Sequence, residues 1–193
     1  TYGTLKIGAD GSYIYTADQS LADDLDAGDV VTDVFVYEVS DGNTGSDTAN
    51  ITITVTGIND PVVATDDTDA VNEDASVTKT GAQDDVLNDD TDADDSASIS
   101  VSKIKHSTDS GYTSVTSSST HLSNFTTVTG TYGTLKIGAD GSYIYTADQT
   151  AADAIDASDT KTDVFDYEAT DGTLTATATL TTVSYTHLRA HET

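Results

Sequence analysis

Apolar residues in this chain recur at alternate positions rather than at helical spacing. In TDVFVYEV, residues 32–39, Phe35, Tyr37 and Val39 share one face, and in TANITITV, residues 48–55, Ile51, Ile53 and Val55 do the same. A period of two predicts strands with one buried face. YGTLKI and YIYT flank Ala9-Asp10-Gly11-Ser12, and an Asp-Gly pair suits a tight turn that needs positive φ, so residues 2–16 predict a hairpin. Further strands are expected at 76–80, 98–105, 112–118 and 125–129. Leu21 and Leu25, four residues apart, predict a single helical turn after the hairpin. Seven or eight short strands per 120–130 residues, separated by turn signals, predict a sandwich.

The pattern is written twice. TYGTLKIGADGSYIYTADQ, residues 1–19, recurs unchanged at 131–149, an offset of 130. Residues 20–42 align with 150–172, keeping Asp23, Asp26, Asp29, Asp33, Phe35, Tyr37, Glu38 and Asp41 at their equivalents. A period this long means tandem whole domains rather than a solenoid of small units. Residues 1–58 are therefore expected to be the C-terminal half of an upstream repeat, and 59–183 one nearly complete repeat. The copies part at Val183, where SYTHLRAHET begins and brings the chain's one Arg and two of its four His. Residues 184–193 read as a foreign tail of the kind adapter or vector read-through would give, with a native recognition tail as the alternative.

Charge changes the picture. Against 34 Asp plus Glu stand 7 Lys plus Arg, a net charge of −27 on a chain 36% hydrophobic. Such a field disfavours nucleic acid and anionic membrane as partners, and it approaches the composition at which self-repulsion opposes folding. Divalent cations would neutralise it; salt adaptation is the rival reading. With no Cys there is neither a disulfide framework nor a thiolate site. No apolar run is long enough to span a bilayer, so no membrane insertion is expected, and the first residue, Thr1, reads as belonging to an excised piece.

The acidity is clustered. DDVLNDDTDADD, residues 84–95, holds seven Asp and no base. Asp90, Asp92 and Asp94 alternate, so in an extended loop their carboxylates can converge on one Ca²⁺, with Asp89 and backbone carbonyls completing the shell. This is not an EF-hand, since Asp95 replaces the required Gly and Val101 the closing Glu. A second cluster runs through the junction: Asn59-Asp60-Pro61, Asp66-Asp67 and Asn72-Glu73-Asp74. Asn59, Asp60, Asp66 and Glu73 are its candidate ligands, a plain acidic linker the alternative. The Asp41-Gly42-Asn43 and Asp171-Gly172 turns could supply ligands too, but read first as turn chemistry.

YGTLKIGADGSYIYTADQ, TDVFVYEVSDGN, ITITVTGINDP and VLNDDTDADD together resemble the VCBS repeat and related bacterial cadherin-like domains, over essentially all of residues 1–183. The fold expected is all-β: tandem Ig/cadherin-like antiparallel β-sandwich modules. The resemblance implies a repeat of a very large protein exported by type I secretion to the bacterial surface, acting in adhesion and biofilm formation. It also implies Ca²⁺ at Asp90, Asp92 and Asp94 and at Asn59 and Asp60. Asp89 stands where that family has Asn, and Asn88 where it has a small residue. Neighbouring repeats are the expected protein partners, with cell-surface or matrix glycans as further candidates.

No enzyme is expected. Neither Gly-x-Ser-x-Gly nor a P-loop occurs, and His106 and His121, in polar stretches without zinc-type spacing, read as exposed surface histidines. Two alternatives stay open: a Ca²⁺-dependent carbohydrate-binding module, and an accessory domain of a secreted hydrolase. The first has little to stack with, since there is no Trp and ten Tyr and three Phe lie mostly on strand faces.

Overall fold

The computed structural model describes residues 1–81, 84–94, 97–155 and 159–185, and they form an all-β chain with mostly antiparallel pairing. It divides into two compact units, Thr1–Asp60 with Ala93–Ala97, and Pro61–Asp92 with Ser98–Thr193.

In the first unit β1 (Thr4–Ile7) and β2 (Tyr13–Thr16) form the expected hairpin, closed by Gly11 at φ 82°. The Asp10 carboxylate accepts from the Ser12 amide and hydroxyl, which shapes the turn. The single helical turn α1 (Ser20–Asp23) follows, then a long ribbon of β3 (Val30–Ser40) and β4 (Ser46–Thr56). The hairpin is fastened to the ribbon through Asp33. Its carboxylate accepts from the Tyr2 and Gly3 amides at 2.8 and 3.0 Å and from the Tyr15 hydroxyl at 2.7 Å. Burial pushes the Asp33 carboxyl up, but these hydrogen bonds outweigh it and hold it below the ordinary Asp range.

The second unit is a two-sheet arrangement. One sheet runs β6 (Ser76–Lys79), β11 (Tyr143–Thr146), β10 (Thr134–Ile137), β9 (Thr126–Thr129); the other runs β5 (Asp67–Asn72), β13 (Thr175–Tyr185), β12 (Thr160–Thr170), β7 (Ser100–His106), β8 (Thr113–Ser114). Alternation along β10, β11 and β12 points Leu135, Ile137, Tyr143, Tyr145, Phe165 and Tyr167 into one core with Val101, Ile104 and Leu180. Each large side chain buried this way contributes about 1.5–3 kcal/mol. Asp163 repeats the Asp33 fastening, taking the Thr131, Tyr132 and Gly133 amides at 2.7–2.9 Å and the Tyr145 hydroxyl at 2.8 Å.

Several expectations change. Both histidines are buried rather than exposed. His106 ends β7 on its inward face, with Nε2 3.3 Å from Asp163, Nδ1 2.7 Å from the Thr108 hydroxyl and its ring edge-on to Phe165. Its neighbours in sequence are polar, but the strand phase, not the local composition, decides which way it faces. His121 is drawn in where its amide donates to Ser142 Oγ at 2.9 Å. Within 112–118 only Thr113–Ser114 is strand. The acidic tract 67–72 is β5, paired in parallel with β13, a partnership that no local pattern announces. The second copy of the α1 segment forms turns rather than a helix. Ser184 and Tyr185, where the copies diverge, still pair with Lys161 and Thr160; residues 186–193 lie outside the described set.

Candidate metal centre

The chemistry of the second unit gathers around the Tyr167 hydroxyl. β12 brings Tyr167 into the core, and the parallel β5 lays Asp67 alongside, its Oδ2 3.2 Å from that hydroxyl. The loop of residues 84–94 returns to the same point. The Val86 and Thr65 carbonyls accept at 2.8 and 2.9 Å, and both Asp90 oxygens stand at 3.4 Å. One hydroxyl proton cannot satisfy five oxygens, so this is a surplus of acceptors. Buried Val86 anchors the loop, Val63 and Thr91 exchange backbone hydrogen bonds at 2.7 and 3.0 Å, and the Thr65 amide donates to Asp90 Oδ1 at 2.8 Å.

The carboxylates repel one another. Burial pushes the Asp67 carboxyl up to about 7, and the charges of Asp89, Asp90 and Asp85 add to the push while the Tyr167 hydroxyl partly opposes it. Asp90 is raised as well, chiefly by burial and then by Asp89 and Asp85, against the Thr65 and Tyr167 hydrogen bonds. A divalent cation would remove both penalties. The donor set, carboxylate and carbonyl oxygen without nitrogen or sulfur, fits a hard cation such as Ca²⁺; Asp67 and Asp90, with the Thr65 and Val86 carbonyls, would hold it.

Asp92 and Asp171 form a second pair in this unit, their carboxylate oxygens within 4.8 Å of each other. Asp171 does serve the turn between β12 and β13, its Oδ1 accepting from the Thr173 and Leu174 amides at 2.6 and 2.7 Å, and it faces Asp92 too. In the first unit the Asp60 amide donates to Asp94 Oδ2 at 3.1 Å, and Asn59 Nδ2 donates to the Asp60 carbonyl at 2.8 Å.

Asp66 and Glu73 stand apart from these groups. The Asp66 carboxylate accepts from the Thr179 amide at 2.8 Å, tying the start of β5 to β13. Glu73 follows the other end of β5, its amide bonded to the Tyr185 carbonyl, and at about 3.3 Å per residue it lies about 20 Å from Asp67. Asp67 is the residue that sequence reasoning passed over as a ligand, and Asp171 the one it ranked below turn chemistry. The lone hint for Asp67 is its place in the Asp66-Asp67 pair; its facing Tyr167 depends on the long-range parallel pairing.

Among solved structures, protocadherin gamma B2 extracellular cadherin domains 1–5 share 14% identity over 98% of this chain and 32% of theirs, with a TM-score of 0.44. Mouse clustered PcdhgC3 EC1-3 gives 16%, 97%, 53% and 0.38, and an endo-fucoidan hydrolase of glycoside hydrolase family 107 gives 14%, 97%, 22% and 0.36. The chain thus spans between about a fifth and a half of those proteins, and at these scores nothing of their chemistry is carried over. No curated protein matches it. Residues 1–54, which hold the hairpin, α1 and nearly all of the ribbon, match the bacterial Ig domain family, so the chain carries bacterial Ig-like sequence.

Proposed function

We propose that this chain is a non-catalytic, Ca²⁺-binding extender or adhesive repeat, of the VCBS type, from a large secreted bacterial surface protein engaged in attachment and biofilm formation. The observation that carries this is the crowding of Asp67 and Asp90 around an overfilled Tyr167 hydroxyl, with the charge of Asp89 adding to the push that leaves Asp67 ionising only near 7. Without a cation these carboxylates oppose the folded state; with one they staple β5 and the 84–94 loop to the core. The ion supplies neutralising charge, and these residues bind and orient it. A chain of net charge −27 would then be loose where Ca²⁺ is scarce and rigid where it is millimolar, which suits a linear array of repeats.

The carbohydrate-binding alternative finds less support. Lys105 lies 5.1 Å from the Tyr112 ring and Lys136 4.9 Å from the Phe125 ring, each covering one face, and the more exposed rings, Tyr13 and Tyr185, belong to different units. The accessory-domain reading shares the same calcium chemistry and differs only in its neighbours.

Calorimetry with Ca²⁺ or chelator tests the proposal. Asp67 has a folded pKa near 7, above its ordinary 3.8, so the folded chain holds the extra proton. Its contribution to metal-free stability is therefore complete below about pH 4 and lost as pH rises toward 7. Ca²⁺ must displace that proton, so the Ca²⁺-induced rise in Tm is larger at pH 8 than at pH 5. At 100 times Kd the gain is about 2.7 kcal/mol, or about 10 °C for a unit of this size. Asp67→Asn with Asp90→Asn should abolish the response while stabilising the metal-free protein. Equal Tm in Ca²⁺ and chelator at pH 8 overturns calcium binding, and saturable signals on a glycan array in Ca²⁺ would favour the carbohydrate reading.

A further inference from the structure

One lysine of the second unit faces inward. Lys103 and Lys105 on β7 pair with Glu168 and Asp166 of the neighbouring β12, each at 2.9 Å and each within one sheet. Lys79 differs. It stands directly opposite Tyr143 in the β6–β11 register, and opposite residues of an antiparallel pair share a face. Tyr143 is buried, so Lys79 also points between the two sheets.

Asp69 meets it from the other sheet. The period of two along β5 turns Asp67, Asp69 and Val71 to one face, and Val71 belongs to the core. Asp69 Oδ2 lies 3.5 Å from Lys79 Nζ and accepts from the Tyr143 hydroxyl at 2.9 Å. Asp69 is 16% exposed and Lys79 25%, so water reaches the pair only in part. Burial, and then the charge of Asp69, push the Tyr143 hydroxyl well above the ordinary tyrosine range, so it keeps its proton and donates. β6 and β5 are edge strands of their sheets, and among the described residues no other amine and carboxylate pair across them.

We propose that Lys79 and Asp69 condense after folding into an isopeptide bond, a covalent tie between the edge strands of the two sheets. Lys79 Nζ attacks Asp69 Cγ; the Nζ–Cγ bond forms, the Cγ–Oδ2 bond breaks, and two of the three ammonium protons leave with Oδ2 as water. The Tyr143 hydroxyl relays a proton, giving its own to Oδ2 and regaining one from Nζ. One positive and one negative charge disappear together, so the step needs no oxidant, reductant or activated donor. In open water hydrolysis would win, but groups held in place reach effective concentrations of about 10⁵–10⁸ M, far above that of water, which favours the amide. With no Cys in the chain, a disulfide cannot supply such a tie. The bond involves neither Asp67 nor Asp90 and stands apart from the calcium reading.

The test is the intact mass of the folded full chain, which should fall one water below the sequence mass in Ca²⁺ and in chelator alike. Glu73 lies between the two residues, so after cleavage by a glutamate-specific protease the piece ending there should stay joined, under denaturing conditions, to the piece beginning at Asp74. Lys79→Arg keeps the charge pair but cannot condense; it should restore the full mass and free the pieces, as should Asp69→Ala. In chain freshly translated in vitro, Tyr143→Phe should slow the loss of water at least tenfold, and an unchanged rate would remove Tyr143 from the reaction. The proposal is overturned if the folded chain keeps its full mass on prolonged incubation, or if the pieces separate. It is overturned equally if the water is still lost in Lys79→Arg, which would place that loss at the Asp-Gly turns as succinimide. Equal Tm in Ca²⁺ and chelator would leave this bond standing.

Discussion

The two copies of the hairpin are an internal experiment in which sequence is held constant and surroundings vary. β1–β2 and β10–β11 have the same register, Thr4↔Thr16 to Ile7↔Tyr13 and Thr134↔Thr146 to Ile137↔Tyr143. Their turns share φ values of 82° and 81° at Gly11 and Gly141. Each is fastened by one carboxylate, Asp33 or Asp163, to the amides before it and to a tyrosine hydroxyl. Even the edge-on packing is kept, with ring centroids 6.1 Å apart for Tyr15–Phe35 and 6.0 Å for Tyr145–Phe165. Local geometry is thus a property of the segment itself. Burial is not, because it depends on strands from elsewhere in the chain that reach one copy only.

The largest test of that contrast is a truncation made in both copies. Tyr143→Ala should cost about 3–5 kcal/mol, as removal of a buried aromatic does. Tyr13→Ala should cost less than about 0.5 kcal/mol, the ordinary range for an exposed position. Urea unfolding followed through amide signals of β10–β11 and β1–β2 separates the two. Equal costs would mean that Tyr13, 51% exposed in the first unit, is covered in solution.

A smaller difference is expected at the fastening carboxylates. Asp163→Asn turns an acceptor of four donated hydrogen bonds into a group with its own NH₂ among those donors, at a cost of roughly 1–3 kcal/mol to the second unit. Asp33→Asn should release the hairpin from the ribbon, seen as faster amide exchange at Thr4–Ile7, while leaving the second unit's unfolding midpoint in place. An unchanged exchange rate there would show that apolar contact, not Asp33, holds the hairpin.

The same distinction explains what could be read from the residues alone. Alternation disclosed β3, β4, β6, β7 and β9 to within a few residues, and Asp-Gly disclosed both hairpins, because those signals are local. β5 was hidden because its sequence, DTDAVN, is half acidic and its partner is a parallel strand more than a hundred residues away. The buried histidines were hidden for a related reason: the partners of His106 are Asp163 and Phe165, on a strand that its own neighbourhood does not mention. The clustered acidity of the loop was legible, and Asp90 does reach the Tyr167 hydroxyl. Asp67 completes that point only through the fold, while Asp66, its neighbour, is turned to the Thr179 amide.

The smallest contrast lies in the hairpin turns, where both copies need positive φ but differ in the space around it. An alanine Cβ at position 11 would meet nothing within 4 Å, so Gly11→Ala incurs only the left-handed backbone penalty of about 1 kcal/mol. At position 141 the same Cβ would stand 2.8 Å from Leu87 Cγ and 3.2 Å from Asp85 Cγ. Leu87 belongs to the loop that carries Asp89 and Asp90, so Gly141→Ala should cost about twice as much. It should also lower the Ca²⁺-induced rise in Tm, because the displaced Leu87 moves the carboxylates that follow it. Gly11→Ala should leave that rise unchanged. Calorimetry of both variants with and without Ca²⁺ checks the pair, and an equal loss of calcium response would place the ion away from the 84–94 loop.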